Sequence, residues 1–176
     1  MASDGGGSSM SKLETLEIRR IGAEQAGDYR AIRLAALQLD PDAFGSTYEV
    51  EAARPLTWFE DATRNLAIFG AYADGRIVGM IGFGRHAGAK IQHKGFIWGM
   101  FVHPSMRRHG AGAALLHGAI EHASSMVEQI TLSVVTTNRA AIALYEKFGF
   151  TAYGRETRAL KVDGRYVDEL LMVRFC

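Results

Sequence analysis

One cysteine, Cys176, ends the 176-residue chain. A lone thiol excludes an intramolecular disulfide, so packing must hold the fold, and a reducing, cytoplasmic compartment is expected. Basic and acidic residues nearly cancel (20 against 19, formal net charge +1), so no global field points to nucleic acid or to an anionic membrane surface. No apolar run approaches the roughly 20 residues that a membrane-spanning helix needs. The histidines offer no metal-ligand pattern. His86 and His93 fall in one loop, and His117 and His122 are five apart, off a shared helix face. No metal is expected. Proline is scarce, at 41, 55 and 104, and each sits at the edge of a patterned segment. No internal repeat is evident. Residues 1–12 are Gly/Ser-rich and lack the basic start and apolar stretch of a signal peptide; a disordered leader is expected there, with one domain over 13–176.

What is present alternates between two periods. Leu16–Ile21 alternates apolar and polar residues as a strand does. Over Glu24–Leu39, Tyr29, Ile32, Arg33, Ala36 and Leu37 recur at helical spacing. Residues 40–54 read as a loop or broken helix and 55–64 as a second helix. Strands follow at 65–72, 76–85 and 96–102, a helix at 110–124, a strand at 129–135, a helix at 138–148, and strands at 151–160 and 165–175. Asp74-Gly75 and Asp163-Gly164 are hairpin turns. Hairpins followed by βαβ units predict a single α/β domain of the α+β type. Its sheet should be mixed but mostly antiparallel, of about seven strands, with helices on both faces.

The most informative stretch is Val102-His103-Pro104-Ser105-Met106-Arg107-Arg108-His109-Gly110-Ala111-Gly112-Ala113. An apolar strand ends at Pro104, which has no N–H for a ladder. A basic, glycine-bearing loop then opens an Ala/Leu-rich helix. The first N–H groups of a helix have no internal partner and carry partial positive charge. Glycines let a phosphate approach them, and Arg107 and Arg108 add charge-assisted donors. The physical reading is a pyrophosphate cradle. A Walker loop is excluded by the missing Gly-Lys-Ser/Thr, and a G-x-G-x-x-G fingerprint by Leu115.

The remaining spacing, Arg107-x-x-Gly110-x-Gly112, resembles the Arg/Gln-x-x-Gly-x-Gly/Ala acetyl-CoA motif of the GNAT N-acetyltransferase superfamily. Asn138 to Phe150 is similar to that family's later motif, an Asn followed by a short Leu-Tyr helix and Gly-Phe. Asn138, Ala141, Tyr145 and Phe148 share one stripe of that helix, Asn138 suits its N-cap and Gly149 its C-terminal stop.

The resemblance implies acetyl transfer from acetyl-CoA to an amine acceptor. It assigns Arg107, Arg108, His109, Gly110, Ala111, Gly112 and Ala113 to the cofactor cradle. The backbone of Met100, Phe101 and Val102 would meet the pantetheine where strands four and five splay, and Asn138, Ala141, Tyr145 and Phe148 would flank the cofactor. Tyr145 is the candidate acid for the leaving thiolate. The fourth strand, Ile97-Trp98-Gly99-Met100-Phe101, lacks the carboxylate that many relatives carry there. Glu51 and Glu49 are then the candidate bases, with a water chain as the other route. Phe44, Tyr48 and Trp58 are candidate walls of the acceptor pocket, core packing being the other reading for Phe44 and Trp58. Two readings compete with the enzyme: a non-catalytic acyl-CoA-binding regulatory module, and a nucleotide-binding α/β domain. The exposed C-terminal strand pair leaves a homodimer open.

Overall fold

A computed structural model describes residues 15–176; the expected leader lies outside the described residues. The strands are β1 (Leu16–Arg20), β2 (Ala67–Ala73), β3 (Arg76–Arg85), β4 (Lys94–Val102), β5 (Gln129–Val135), β6 (Thr151–Val162) and β7 (Arg165–Phe175). The helices are α1 (Ala26–Leu39), α2 (Tyr48–Ala52), α3 (Leu56–Asn65), α4 (Ala111–Ser124) and α5 (Arg139–Lys147). The seven strands form one sheet in the order β1-β2-β3-β4-β5-β7-β6. Every neighbouring pair is antiparallel except β4–β5. Both Asp-Gly turns have positive φ at both central residues, as a two-residue hairpin of matching twist requires.

Each face of the sheet buries its own core. On one, α4 packs Leu115, Leu116, Ala119, Ile120 and Ala123 against Ile81, Phe83, Ile97 and Ile130. On the other, α1 and α3 bring Tyr29, Ile32, Ala36 and Phe59 onto Ile68, Met80 and Phe101. The apolar stripes read from the sequence are therefore the buried faces. Small residues in β3 admit large ones opposite. A Cβ on Gly82 would fall 2.2 Å from the Trp98 ring, and one on Gly84 2.3 Å from Phe96.

Two irregularities shape the centre. Between the pairs Met80–Phe101 and Gly82–Trp98, β4 carries one residue more than β3. This bulge falls at Gly99-Met100, and Gly99 has a φ of 65°, a conformation that glycine adopts without strain. Then β4 and β5 part company: their parallel register covers only Lys94–Phe96 against Gln129–Thr131. From Ile97 onward the β5-facing edge of β4 has no strand partner, and a gap opens in the middle of the sheet.

Candidate active site

The gap leads to the start of α4. Arg108 (φ 68°) and Gly110 (φ 82°) are both left-handed, and they turn the chain into the helix. Among the described residues, the backbone N–H groups of Arg108 to Ala113 donate to no protein acceptor; the first bond of the helix is Ala114 N–H to the Gly110 carbonyl at 3.0 Å. Six successive free amides at the positive end of a 14-residue helix could together receive an anion. The loop is braced from behind. Arg107 Nε donates to the Val102 carbonyl at 3.0 Å and His109 Nδ1 to the Arg107 carbonyl at 2.8 Å.

A cavity of about 750 Å³ runs from this loop along the gap. Met100, Phe101, Val102, Arg107, Arg108 and Gly112 form one wall, and Asn138, Ala141 and Leu144 the other. A small inner recess of about 80 Å³ continues it between β4 and β5, past Trp98, Gly99 and Met100 to Tyr145. The two arms of the cleft thus bring both sequence motifs together, as a long phosphate-bearing thioester requires. The free amides suit its pyrophosphate, and the unpaired edges of the strands suit the amides of its pantetheine.

On the α5 side, Asn138 Oδ1 accepts the Ala141 N–H at 3.1 Å and caps the helix, while its side chain also faces both cavities. Tyr145 is buried, with its ring edge-on to Phe150 at 5.9 Å. Burial pushes its phenol well above the usual range, so it stays protonated at any physiological pH. Among the described residues its hydroxyl has no protein partner and is not one of the fully enclosed polar atoms. It reaches the recess with its proton uncommitted.

A second cleft, where the candidate acceptor residues Phe44 and Tyr48 lie, is built from the α1–α2 connection and the β6–β7 hairpin. Phe44, Tyr48 and Glu49 face Leu160 and Lys161 across a cleft of about 570 Å³. Phe44 also lines the inner recess and so joins the two spaces.

Several expected residues sit elsewhere. Phe148 lines neither part of the cofactor cleft; it packs on the α4-side core, and its carbonyl accepts Arg174 Nε at 3.0 Å. Trp58 is 39% exposed, lies edge-on to Phe59 under Arg54 and lines none of these cavities. It sits apart from these clefts and outside both buried cores. Glu51 is buried, and its two oxygens accept Arg33 Nε (2.9 Å) and Nη2 (2.7 Å). Glu49 is exposed at the first turn of α2.

Three residues that line the site or brace it were given no functional role from the sequence: Asp40, Leu144 and Arg33. Arg33 was the legible one. A cation inside an otherwise apolar helical stripe must find a buried partner. Among the described residues no group of three or more His, Cys, Asp or Glu could hold a metal ion, and no helix is long and apolar enough to cross a membrane.

Known proteins share this architecture. The L-amino acid N-acetyltransferase AaaT of Escherichia coli is 28% identical over 151 residues, 84% of this chain and 91% of that protein. An acetyltransferase of the GNAT family from Streptococcus pneumoniae superposes with a TM-score of 0.83 over 92% of this chain and 100% of that one, at 23% identity. The yncA acetyltransferase structure from Salmonella typhimurium, solved with its cofactor acetyl-CoA, gives 0.79 over 92% and 94%, at 21% identity. The model of the acetyltransferase (GNAT) family matches residues 33–150, which include both motifs and the lining of the cavity and recess between them. The chain belongs to the GNAT N-acetyltransferase family, whose acyl donor is acetyl-CoA.

Proposed function

We propose that this enzyme transfers the acetyl group of acetyl-CoA to a primary amine of a small molecule or a peptide by direct attack in a ternary complex. The observation that carries this reading is the uncommitted Tyr145 hydroxyl. It lines the recess between the splayed strands, which continues the cavity that begins at the amide-rich start of α4. The L-amino acid N-acetyltransferase relative supports an amine acceptor.

In this reading the amides of Arg108 to Ala113 hold the pyrophosphate, and the edge of β4 at Met100–Val102 holds the pantetheine. A backbone N–H at the Gly99-Met100 bulge polarises the thioester carbonyl. One such oxyanion donor is typically worth about 10²–10³ in rate. The amine nitrogen forms a C–N bond to the carbonyl carbon, the C–S bond breaks, and Tyr145 lends its proton to the departing sulfur. A positioned proton donor contributes roughly 10²–10⁴ in rate. The amine's own proton leaves through water in the open acceptor cleft. Both Glu51 oxygens are held by Arg33, which supports the water route over a Glu51 base. A cytoplasmic location belongs to the same reading.

The test is CoA thiol release against a panel of amines, with the products identified by mass. Release that depends on amine, with no acetyl-enzyme after acetyl-CoA alone, is expected. CoA binding without release for any amine would favour a non-catalytic acyl-CoA module.

A further inference from the structure

We infer that Arg33 is a specificity residue of the acceptor site: its Nη1 reads an acyl oxygen next to the reacting amine, the carboxylate of a free α-amino acid above all. The inference rests on the acetyltransferase reading and adds to it the class of acceptor.

Arg33 lies on the buried face of α1 and is 8% exposed. Its fork is only half used. Nε and Nη2 hold the two oxygens of Glu51 at 2.9 and 2.7 Å. Nη1 donates to no protein acceptor among the described residues. The fully enclosed donors that lack partners there are Arg30 Nε and Trp98 Nε1, so Nη1 is unpaired yet not sealed off. It faces the bulge of β4: a Cβ on Gly99 would stand 3.7 Å from it, and the glycine leaves that approach open. The guanidinium carbon lies 5.2 Å from the centroid of Phe44 and 5.8 Å from that of Trp98. Phe44, Trp98 and Gly99 all line the recess that ends at Tyr145.

These contacts fix both the plane and the charge of the group. Two aromatic faces and a bidentate carboxylate hold a guanidinium in one orientation, which a lysine could not reproduce. Glu51 balances the charge, so no uncompensated ion is buried when the site holds no ligand. An acceptor atom held in the recess beside Gly99, Phe44 and Trp98 would complete the free N–H donors, and a carboxylate oxygen gives the strongest, charge-assisted bond. Proximity favours the α position. Nη1 stands beside Gly99, and Gly99 immediately precedes Met100 at the bulge where the thioester carbonyl is proposed to be polarised. An amine and a carboxylate on the same carbon keep the reacting nitrogen and the oxygen read by Nη1 close together.

The experiment compares matched acceptors: an L-α-amino acid, its amide, and the amine left when the carboxyl group is removed. Rates are corrected to the concentration of free amine. The amino acid should exceed the decarboxylated amine by about 10–100-fold in kcat/KM, chiefly through KM, as losing one hydrogen bond to a charged group predicts. An amide that matches the amino acid would assign the contact to a peptide carbonyl at a chain N-terminus and keep the role of Arg33. Arg33→Lys should collapse the ratio between the first and third acceptors. If that variant does not fold, the wild-type panel alone decides. Equal kcat/KM for the amino acid and the decarboxylated amine would overturn the inference and leave the acetyltransferase reading standing. Acetylation of none of the three or of any other amine would overturn both.

Discussion

Arg107 ties the cofactor loop to the acceptor side of the cleft: its Nη2 stands 2.6 Å from Asp40 Oδ2, just past the end of α1. The motif arginine therefore faces a carboxylate inside the cavity proposed above to take the cofactor's polyanion. Both side chains are more than a third exposed, so the pair is worth at most about 1 kcal/mol to the fold. Its effect should appear in binding. Asp40→Asn removes a negative charge and frees Arg107. Calorimetry should show CoA binding about 2–5-fold tighter at low salt, since an exposed pair is worth roughly 0.2–1 kcal/mol. The gain should fade as salt screens it. Unchanged or weaker binding would mean that the pair props the loop open.

Tyr145→Phe removes an oxygen that bonds no protein atom among the described residues. The melting temperature should stay nearly constant, and CoA affinity within a small factor. Turnover should fall by about 10²–10⁴, the range for a lost proton donor. The raised phenol also sets a pH expectation. A group whose pKa is pushed above its ordinary value of 10.0 keeps its proton through the whole alkaline range of a usual assay. The wild-type kcat profile should therefore show no falling limb from Tyr145 up to about pH 10. A descending limb that disappears in the Phe variant would show an ordinary, solvent-exposed phenol instead.

Gly110 and Gly112 should answer differently to the same change. At Gly110 a Cβ meets nothing, but the backbone is left-handed. Gly110→Ala should cost about 1–2 kcal/mol of stability and weaken CoA binding as the amides turn away. At Gly112 the backbone is helical, and a Cβ would come within 3.3 Å of Met100 Cε and 3.4 Å of Leu144 Cδ2, both ends of flexible chains. Gly112→Ala should fold and bind CoA. Gly112→Val should fold and bind poorly, because the added methyls occupy the cleft. Denaturant melts and calorimetry on the three variants separate strain from blockage; identical losses at both sites would refute the distinction.

Much of this was written in the sequence where one residue decides one backbone event. The Asp-Gly turns, Pro104 at the strand end and Asn138 at the helix cap act locally, so pattern reading placed their elements within a few residues. The cofactor loop was legible for the same reason: Gly110 and the start of α4 are neighbours in the chain. The acceptor side was not. Phe44 and Trp58 look alike as aromatics in a helix–loop–helix, yet one reaches the recess and the other lies on the surface. The difference is set by how α1, β4 and the β6–β7 hairpin pack, and these are distant in sequence. Glu51 was obscure because its partner stands 18 positions away on another helix. Phe148 shared a stripe with Tyr145 on paper. Near the end of α5, however, that stripe turns toward β7, where Arg174 holds the Phe148 carbonyl.

The buried pair of Arg33 and Glu51 separates a structural carboxylate from a catalytic one. Their side chains are 10% and 5% exposed. Glu51→Ala leaves a guanidinium without its counter-charge, which typically costs about 3–5 kcal/mol. In a domain of this size each kcal/mol lowers the melting temperature by about 2–4 °C, so a drop of roughly 6–20 °C is expected. Glu51→Gln keeps one acceptor for Arg33 and should stay folded. If Glu51 were the base, that variant would lose turnover and the acidic limb of its pH–rate profile. With the amine proton passing to water instead, the limb should stay in place. Replacing both residues by apolar ones of similar volume, Arg33→Met with Glu51→Leu, should restore most of the melting temperature, because neither charge is then buried alone. Recovered stability alongside a flattened preference among acceptors would divide the pair's two duties: Glu51 holds Arg33, and Arg33 reads the substrate.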